Sequence, residues 1–324
     1  MLNRRQLCTG LAASVGMALT GAARGQGLPA TLRIIVVVPP GATMDNVARI
    51  VADRLKDSLK RTVLVEYRPG GTGLVAGQYM KMSEPDGANI LFAPVSVAAF
   101  YPALYSKLPY DPDTDLAPLA DGVHIPHALT VSLGSGVQNL QQFLAAAKAD
   151  RLKGSIGTSS MGSVGALLML RLRELSGTDL QLVAYKGGQP LLTDLLGNQV
   201  GAGVSVMSDY LAQHRAGRIR IIATGGPERS PLAPEIPNLV ESGYPDLYGI
   251  SSIGFFARAG TPQPLVDQLS REITAALRTP DVRKRLLDIG CDAQGGTPEA
   301  FRKIILSERA RWEPVIRAAN IRVG

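Results

Sequence analysis

The sequence predicts an α/β protein of two lobes, each a mostly parallel sheet flanked by helices, with a hinge between them. Three observations carry this. Strand-like apolar runs alternate with helix-length segments through most of the chain. The alternation comes in two series, parted by a polar, proline-rich stretch at residues 108–118. Three helical segments then close the chain, and they are expected to return to the first lobe. Crossings between lobes are placed near residues 123–128 and 249–252. That assigns residues 26–124 plus 252–324 to the first lobe and 125–251 to the second.

Each element has a local reason. Residues 32–38 are rich in β-branched side chains and read as a buried strand. Residues 44–60 follow with Val47, Ile50, Val51, Leu55 and Leu59 on one helical face. A strand at 62–67, a glycine-rich turn, a helix near 74–82 and a strand at 89–93 complete a βαβαβ unit. The second series has helices at 140–149, 163–175, 190–196 and 209–216, the last stopped by Gly217. Its strands are 154–158, 180–185, 200–206 and 218–224. After a loop carrying Pro227, Pro231, Pro234, Pro237 and Pro245 comes a strand at 253–257. The closing helices, 262–278, 280–289 and 298–319, each open with Thr-Pro, which predicts a capping hydroxyl ahead of a first-turn proline. Pro314 is expected to kink the last one.

The first 25 residues differ from the rest. Arg4 and Arg5 precede an apolar, small-residue run from Leu7 to Ala23 that is short for a membrane span. This is the layout of an export signal, and the paired arginines also fit a twin-arginine signal. Removing residues 1–25 leaves 31 basic against 27 acidic residues, a mild excess with no long basic run or interleaved aromatics. Nucleic acid is therefore not an expected partner. Cys8 would leave with the signal, so Cys291 stands alone; a disulfide framework is excluded and a small core residue is expected. Export predicts a periplasmic protein, and a monomer is expected.

The stretch IVVVPPGATMD, residues 35–45, places a helix start at the carboxyl end of a strand. Such ends bind anions through unpaired N–H donors and the helix dipole, and open parallel sheets hold ligands there. Gly41, Ala42, Thr43 and Asp45 are the candidates, although Asp45 could serve only the helix start. The phosphate-loop pattern is absent. Thr158, Ser159, Ser160, Gly162 and Ser163 form a second strand-to-helix junction in the other lobe, and Tyr185 with Lys186 a third that carries a cation. Gly71, Gly73 and Ala76 satisfy a dinucleotide pattern, but after the second strand and with no acid-ended strand following. That leaves an NAD(P)-dependent oxidoreductase as the weaker alternative. His124, His127 and His214 form no catalytic or metal motif, so neither an enzyme nor a cofactor is expected.

Seven segments together resemble the substrate-binding receptors of tripartite tricarboxylate transporters, the Bug or TctC-like family. They are VVVPPGATMD (36–45), EYRPGGTG (66–73), EPDGANILFA (84–93), LYSKLPYDPDTDLAP (104–118), VAYKGGQPLLTDLLGNQV (183–200), AGRIRIIATGGPERSP (216–231) and FARAGTPQPLVDQL (256–269). The resemblance implies a type II periplasmic-binding-protein-like fold that captures a small carboxylate and presents it to membrane permease subunits, or else to a membrane sensor. In the family the first loop holds a carboxylate, partly through water, and the second-lobe loop completes the site. The chain departs from the family pattern at Ala42, Met44, Pro94, Val95, Ala98 and Ala166, where polarity is lost. Ser96 is the polar residue left in the loop after the third strand. Ser205 aligns with a family acid, with Asp209 nearby. These departures predict a carboxylate with an apolar or aromatic body.

Overall fold

The computed structural model describes residues 27–320. In the first series, β1 (Thr31–Val36), β2 (Thr62–Tyr67) and β3 (Asn89–Pro94) alternate with α1 (Thr43–Leu59) and α2 (Leu74–Met82). Two single-turn helices, α3 (Ser96–Ala99) and α4 (Tyr101–Leu104), follow β3, and α5 (Pro112–Asp115) leads into β4 (Leu116–Ser132). The second series runs α6 (Leu140–Ala149), β5 (Ser155–Thr158), α7 (Val164–Ser176), β6 (Gln181–Ala184), α8 (Gly188–Leu196), β7 (Ala202–Val206), α9 (Leu211–Arg215) and β8 (Ile219–Thr224). Then come β9 (Ile250–Arg258), α10 (Gln263–Arg278), α11 (Pro280–Asp288), β10 (Asp292–Ala293) and α12 (Pro298–Ala318).

All of the strands join one sheet in the order β2-β1-β3-β9-β4-β7-β5-β6, with β8 and β10 also paired to β4. Pairing is parallel in the outer parts, β2-β1-β3 and β7-β5-β6, and antiparallel at the centre. The expected crossing near residues 123–128 is not a separate connection but the middle of one 17-residue strand. Along β4 the partner changes from β9 at Pro126 to β7 at His127. The other crossing is the start of β9. The two series thus meet along a pair of antiparallel strands.

Pro118 and Gly122, which interrupt the apolar pattern of β4, sit at irregular register between Pro118 and Ala120 and between Asp121 and Val123. Gly122 sits in the second irregularity; a Cβ there would stand 2.5 Å from the Ile253 carbonyl oxygen, so no other residue fits without moving the strands apart. Aromatic pairs fill the space beside these strands: Phe92 on Phe255 at 4.5 Å and Phe256 on Phe301 at 5.1 Å.

Helix α12 fastens the hinge. Arg309 reaches the first series, donating to both Asp113 carboxylate oxygens (2.9 and 2.8 Å) and to the Ala98 carbonyl (2.7 Å). Trp312, buried, packs against Gly249, which is also flanked by Val164 and Leu168 of α7. Pro314 lies inside α12, which continues past it to Ala318. Of the three Thr-Pro starts, only Thr297 caps as expected, accepting from the Ala300 N–H at 3.2 Å. Thr279 instead donates to the Ala275 carbonyl of the preceding helix, and Thr261 to the Arg258 carbonyl.

Candidate functional site

The loop after β1 is held by its own aspartate. Asp45, 3% exposed, accepts from the Gly41 N–H, from Arg49 Nε and from the Tyr67 hydroxyl, each at 2.8 Å. Burial pushes this carboxyl up, but the bonds from Gly41, Tyr67 and Arg49 outweigh it, so the group stays below the usual carboxylate range. Gly41 can follow this path because its φ is +88°, a conformation that suits glycine. With the Gly41 N–H occupied, the first-turn N–H groups of α1 remain, as at any helix start. The residue ahead of them, Ala42, has no side chain with which to cap them. Asp45 is therefore a brace for this loop, and Thr43 lies half-buried beside the open donors.

The loop after β5 is shaped by its hydroxyls. Thr158 Oγ1 and Ser163 Oγ both donate to the Ser160 carbonyl, at 3.1 and 2.7 Å. Ser163 also caps α7, accepting from the Ala166 N–H at 3.1 Å, and Ser160 Oγ accepts from the Gly162 N–H at 3.3 Å. Ser159 is bound through its backbone, its carbonyl accepting from the Gly187 N–H. A Cβ on Gly162 would stand 3.3 Å from Leu104 of α4, so this second-series loop lies directly on the first series.

Between the two series is a cavity of about 90 Å³. Ser96 lines it from the first series, and Ser160, Gly162 and Ser163 from the second. Its apolar walls are Pro94, Val95, Phe100, Val164 and Ile250. The loop at Gly41, Ala42, Thr43 and Asp45 does not line it. In the sheet order β1 stands one strand farther from the hinge than β3, and its loop is farther out with it.

The remaining sequence-predicted residues stand apart from the cavity. Tyr185 donates its hydroxyl to Asp194 Oδ2 at 2.8 Å, and Lys186 is exposed. Ser205 is 1% exposed and donates to Asp209 Oδ2 at 2.5 Å. Burial raises the Asp209 carboxyl, with the Ser205 bond acting the other way. Part of the apolar set is also elsewhere. Met44, Ala98 and Ala166 are buried in packing, and of that set only Pro94 and Val95 line the cavity. The dinucleotide-like turn follows β2, the edge strand, and Gly77 is needed for packing: a Cβ there would come within 2.3 Å of the Tyr110 ring.

Sequence reasoning missed the hinge floor. Ser251, Ser252 and Glu308 line the cavity, and the serines are backed from behind. His127 Nε2 lies 2.8 Å from Ser251 Oγ. Ser252 Oγ donates to Asp121 Oδ1 at 2.7 Å, and Asp121 Oδ2 lies 2.6 Å from His124 Nε2. His127 is fully buried, which pulls its pKa down to about 4 and keeps it neutral. Cys291 is a buried core residue, its thiol pushed up to about 12 by burial.

The model of the tripartite tricarboxylate transporter family receptor matches residues 47–321. A UPF0065 protein of Bordetella bronchiseptica is 31% identical over 302 residues, covering 93% of this chain and 89% of that one. The R. palustris protein Rpa4515, solved with adipate, has a TM-score of 0.84 at 27% identity over 90% of this chain and 98% of its own. MatC from Rhodopseudomonas palustris, with bound malate, has a TM-score of 0.78 at 27% identity over 88% and 98%. The two-lobe periplasmic-binding-protein architecture of those structures is the architecture of this chain. The chain thus belongs to the tripartite tricarboxylate transporter receptor family, and it is a solute-binding receptor of that family.

Proposed function

We propose that the protein is an exported, non-enzymatic receptor that closes on a small carboxylate with an apolar body and hands it to membrane permease subunits. The observation that carries this reading is the cavity between the series. Serine hydroxyls from both sides meet there with the walls Pro94, Val95, Phe100, Val164 and Ile250. The uncapped start of α1, in the first-series loop that the Asp45 brace holds, would supply N–H donors for the carboxylate. The bound relatives support the small-carboxylate part of this reading, since one carries adipate and another malate. Export would use the basic, apolar segment at residues 1–25, which lies outside the described residues.

A thermal-shift panel of aliphatic acids, aromatic acids, dicarboxylates, amino acids and dinucleotides tests this. A binding acid at one hundred times its dissociation constant stabilises by about 2.7 kcal/mol, a rise of about 4 °C for a chain of this size. Asp45→Ala should stay folded and bind that acid roughly tenfold more weakly, because the loop loses its brace. No response to any acid, or a response to dinucleotides alone, would overturn the reading.

A further inference from the structure

Glu308 occupies an unusual place for an acidic residue. The buried face of α12 is Phe301, Ile305, Trp312 and Ile316, and position 308 falls on the same stripe. The carboxylate therefore turns inward and lines the cleft cavity beside Ile250, Ser251 and Ser252. It also lines a larger neighbouring cavity of about 350 Å³, which shares Ile250, Ser252 and Glu308 with the first. Glu308 thus stands where the two spaces meet.

The protein provides this carboxylate with one hydrogen bond, from Trp312 Nε1 to Oε2 at 3.0 Å. Among the described residues no cation lies within ion-pair distance of it. The nearby cations are directed elsewhere. Arg309 is bound to Asp113 and Ala98, and Arg311 lies over the Tyr248 ring at 3.7 Å while donating to the Asp246 carbonyl. His124 is paired with Asp121, and Lys303 lies on the wall of the larger cavity. Burial raises the Glu308 carboxyl, with the Trp312 bond, Arg311 and His124 opposing. An inward carboxylate with a free oxygen and no counter-charge is costly unless something in the cavity completes it.

We propose that the ligand completes it: Glu308 accepts a hydrogen bond from an ammonium or hydroxyl group at the far end of the bound carboxylate. The proposal rests on the carboxylate reading above. The carboxylate donors are at the start of α1, in the loop that follows β1, whereas Glu308 lies beside the start of β9. These strands are two spacings apart in the sheet, about 10 Å. A six-carbon chain with a hydrogen bond at each end is of the length of that strand separation. A second carboxylate in the same place would meet Glu308 as a like charge, so the receptor selects ω-amino and ω-hydroxy acids against dicarboxylates of equal length.

Four acids of equal chain length separate the possibilities: hexanoate, 6-hydroxyhexanoate, 6-aminohexanoate and adipate, titrated calorimetrically into the full chain at neutral pH. The amino acid should bind about tenfold or more tighter than adipate, with the hydroxy acid tighter than hexanoate. Glu308→Gln keeps the shape and an acceptor for Trp312 but removes the charge. In that variant 6-aminohexanoate should lose about tenfold and adipate should gain. Adipate binding as tightly as 6-aminohexanoate to the unaltered protein would overturn the proposal, a result that does not depend on the variant. An unchanged ranking in Glu308→Gln would overturn it too. Failure of all four acids to bind would instead overturn the carboxylate reading, and this proposal with it.

Discussion

Asp45 and His127 are both buried polar residues, and each holds a neighbour: Asp45 the Gly41 N–H, His127 the Ser251 hydroxyl. The sequence shows an aspartate in the first turn after a Pro-Pro-Gly break. It does not show that Tyr67 and Arg49, from a strand end and the next helical turn, saturate one of its oxygens. Small apolar residues at helix starts are equally ambiguous: Ala98 and Ala166 could face a cleft or a core, and both are in packing. Glu308 was missed although a signal was present: it is an acid spaced with Phe301, Ile305 and Trp312 on one helical stripe. His127 yields a prediction at this scale. Its pKa is about 4 when folded and about 6.5 in the unfolded chain, so the unfolded state takes up the proton first as pH falls. Stability should be complete above pH 6.5 and decline toward pH 4, by up to about 3 kcal/mol. Melting curves of His127→Gln should show a flatter decline over that window; an equal slope would show that other groups govern it.

At the scale of elements, periodicity placed the helices α1, α6, α7, α10, α11 and α12 and most strands within a residue or two. What it could not resolve was β4, because Pro118, Gly122 and Pro126 look like interruptions in the chain. Register irregularities opposite β9 accommodate Pro118 and Gly122, and Pro126 falls where β4 passes from β9 to β7. The two-residue β10 has too little sequence to carry a pattern, and it exists by pairing with His124 and Val123. Capping illustrates the same limit. Thr261, Thr279 and Thr297 look alike in the sequence, but Thr279 joins α10 directly to α11, and its hydroxyl serves the helix behind it. Thr297→Ala should therefore cost about 1 kcal/mol in urea unfolding. Thr279→Ala should cost less than half of that. Equal losses would mean that the hydroxyls act other than as caps.

In the whole molecule, the series are bound together rather than strung in line. β4 belongs to both, β9 pairs along most of its first half, and α12 touches each side through Arg309 and Trp312. Opening and closing must then be a twist of two paired antiparallel strands, with α12 carried along, and not a loop swinging freely. A body coupled in this way should unfold in one step. The single tryptophan, Trp312, stands at the junction, so its fluorescence reports the hinge while far-ultraviolet circular dichroism reports all helices. The two signals should trace one urea transition with a common midpoint. Fluorescence changing at lower urea would reveal a hinge that melts before its lobes.

The position of β9 has a consequence for the growing chain. It lies between β3 and β4 in the sheet, yet it pairs with β3 across about 160 residues of intervening chain. As the polypeptide emerges, β3 presents Leu91, Phe92 and Ala93 along an edge whose partner has not been made. At ordinary synthesis rates that edge waits on the order of ten seconds, during which another strand could take the place meant for β9. The late arrival of residues 250–258 makes completion of the chain a condition for closing its first lobe.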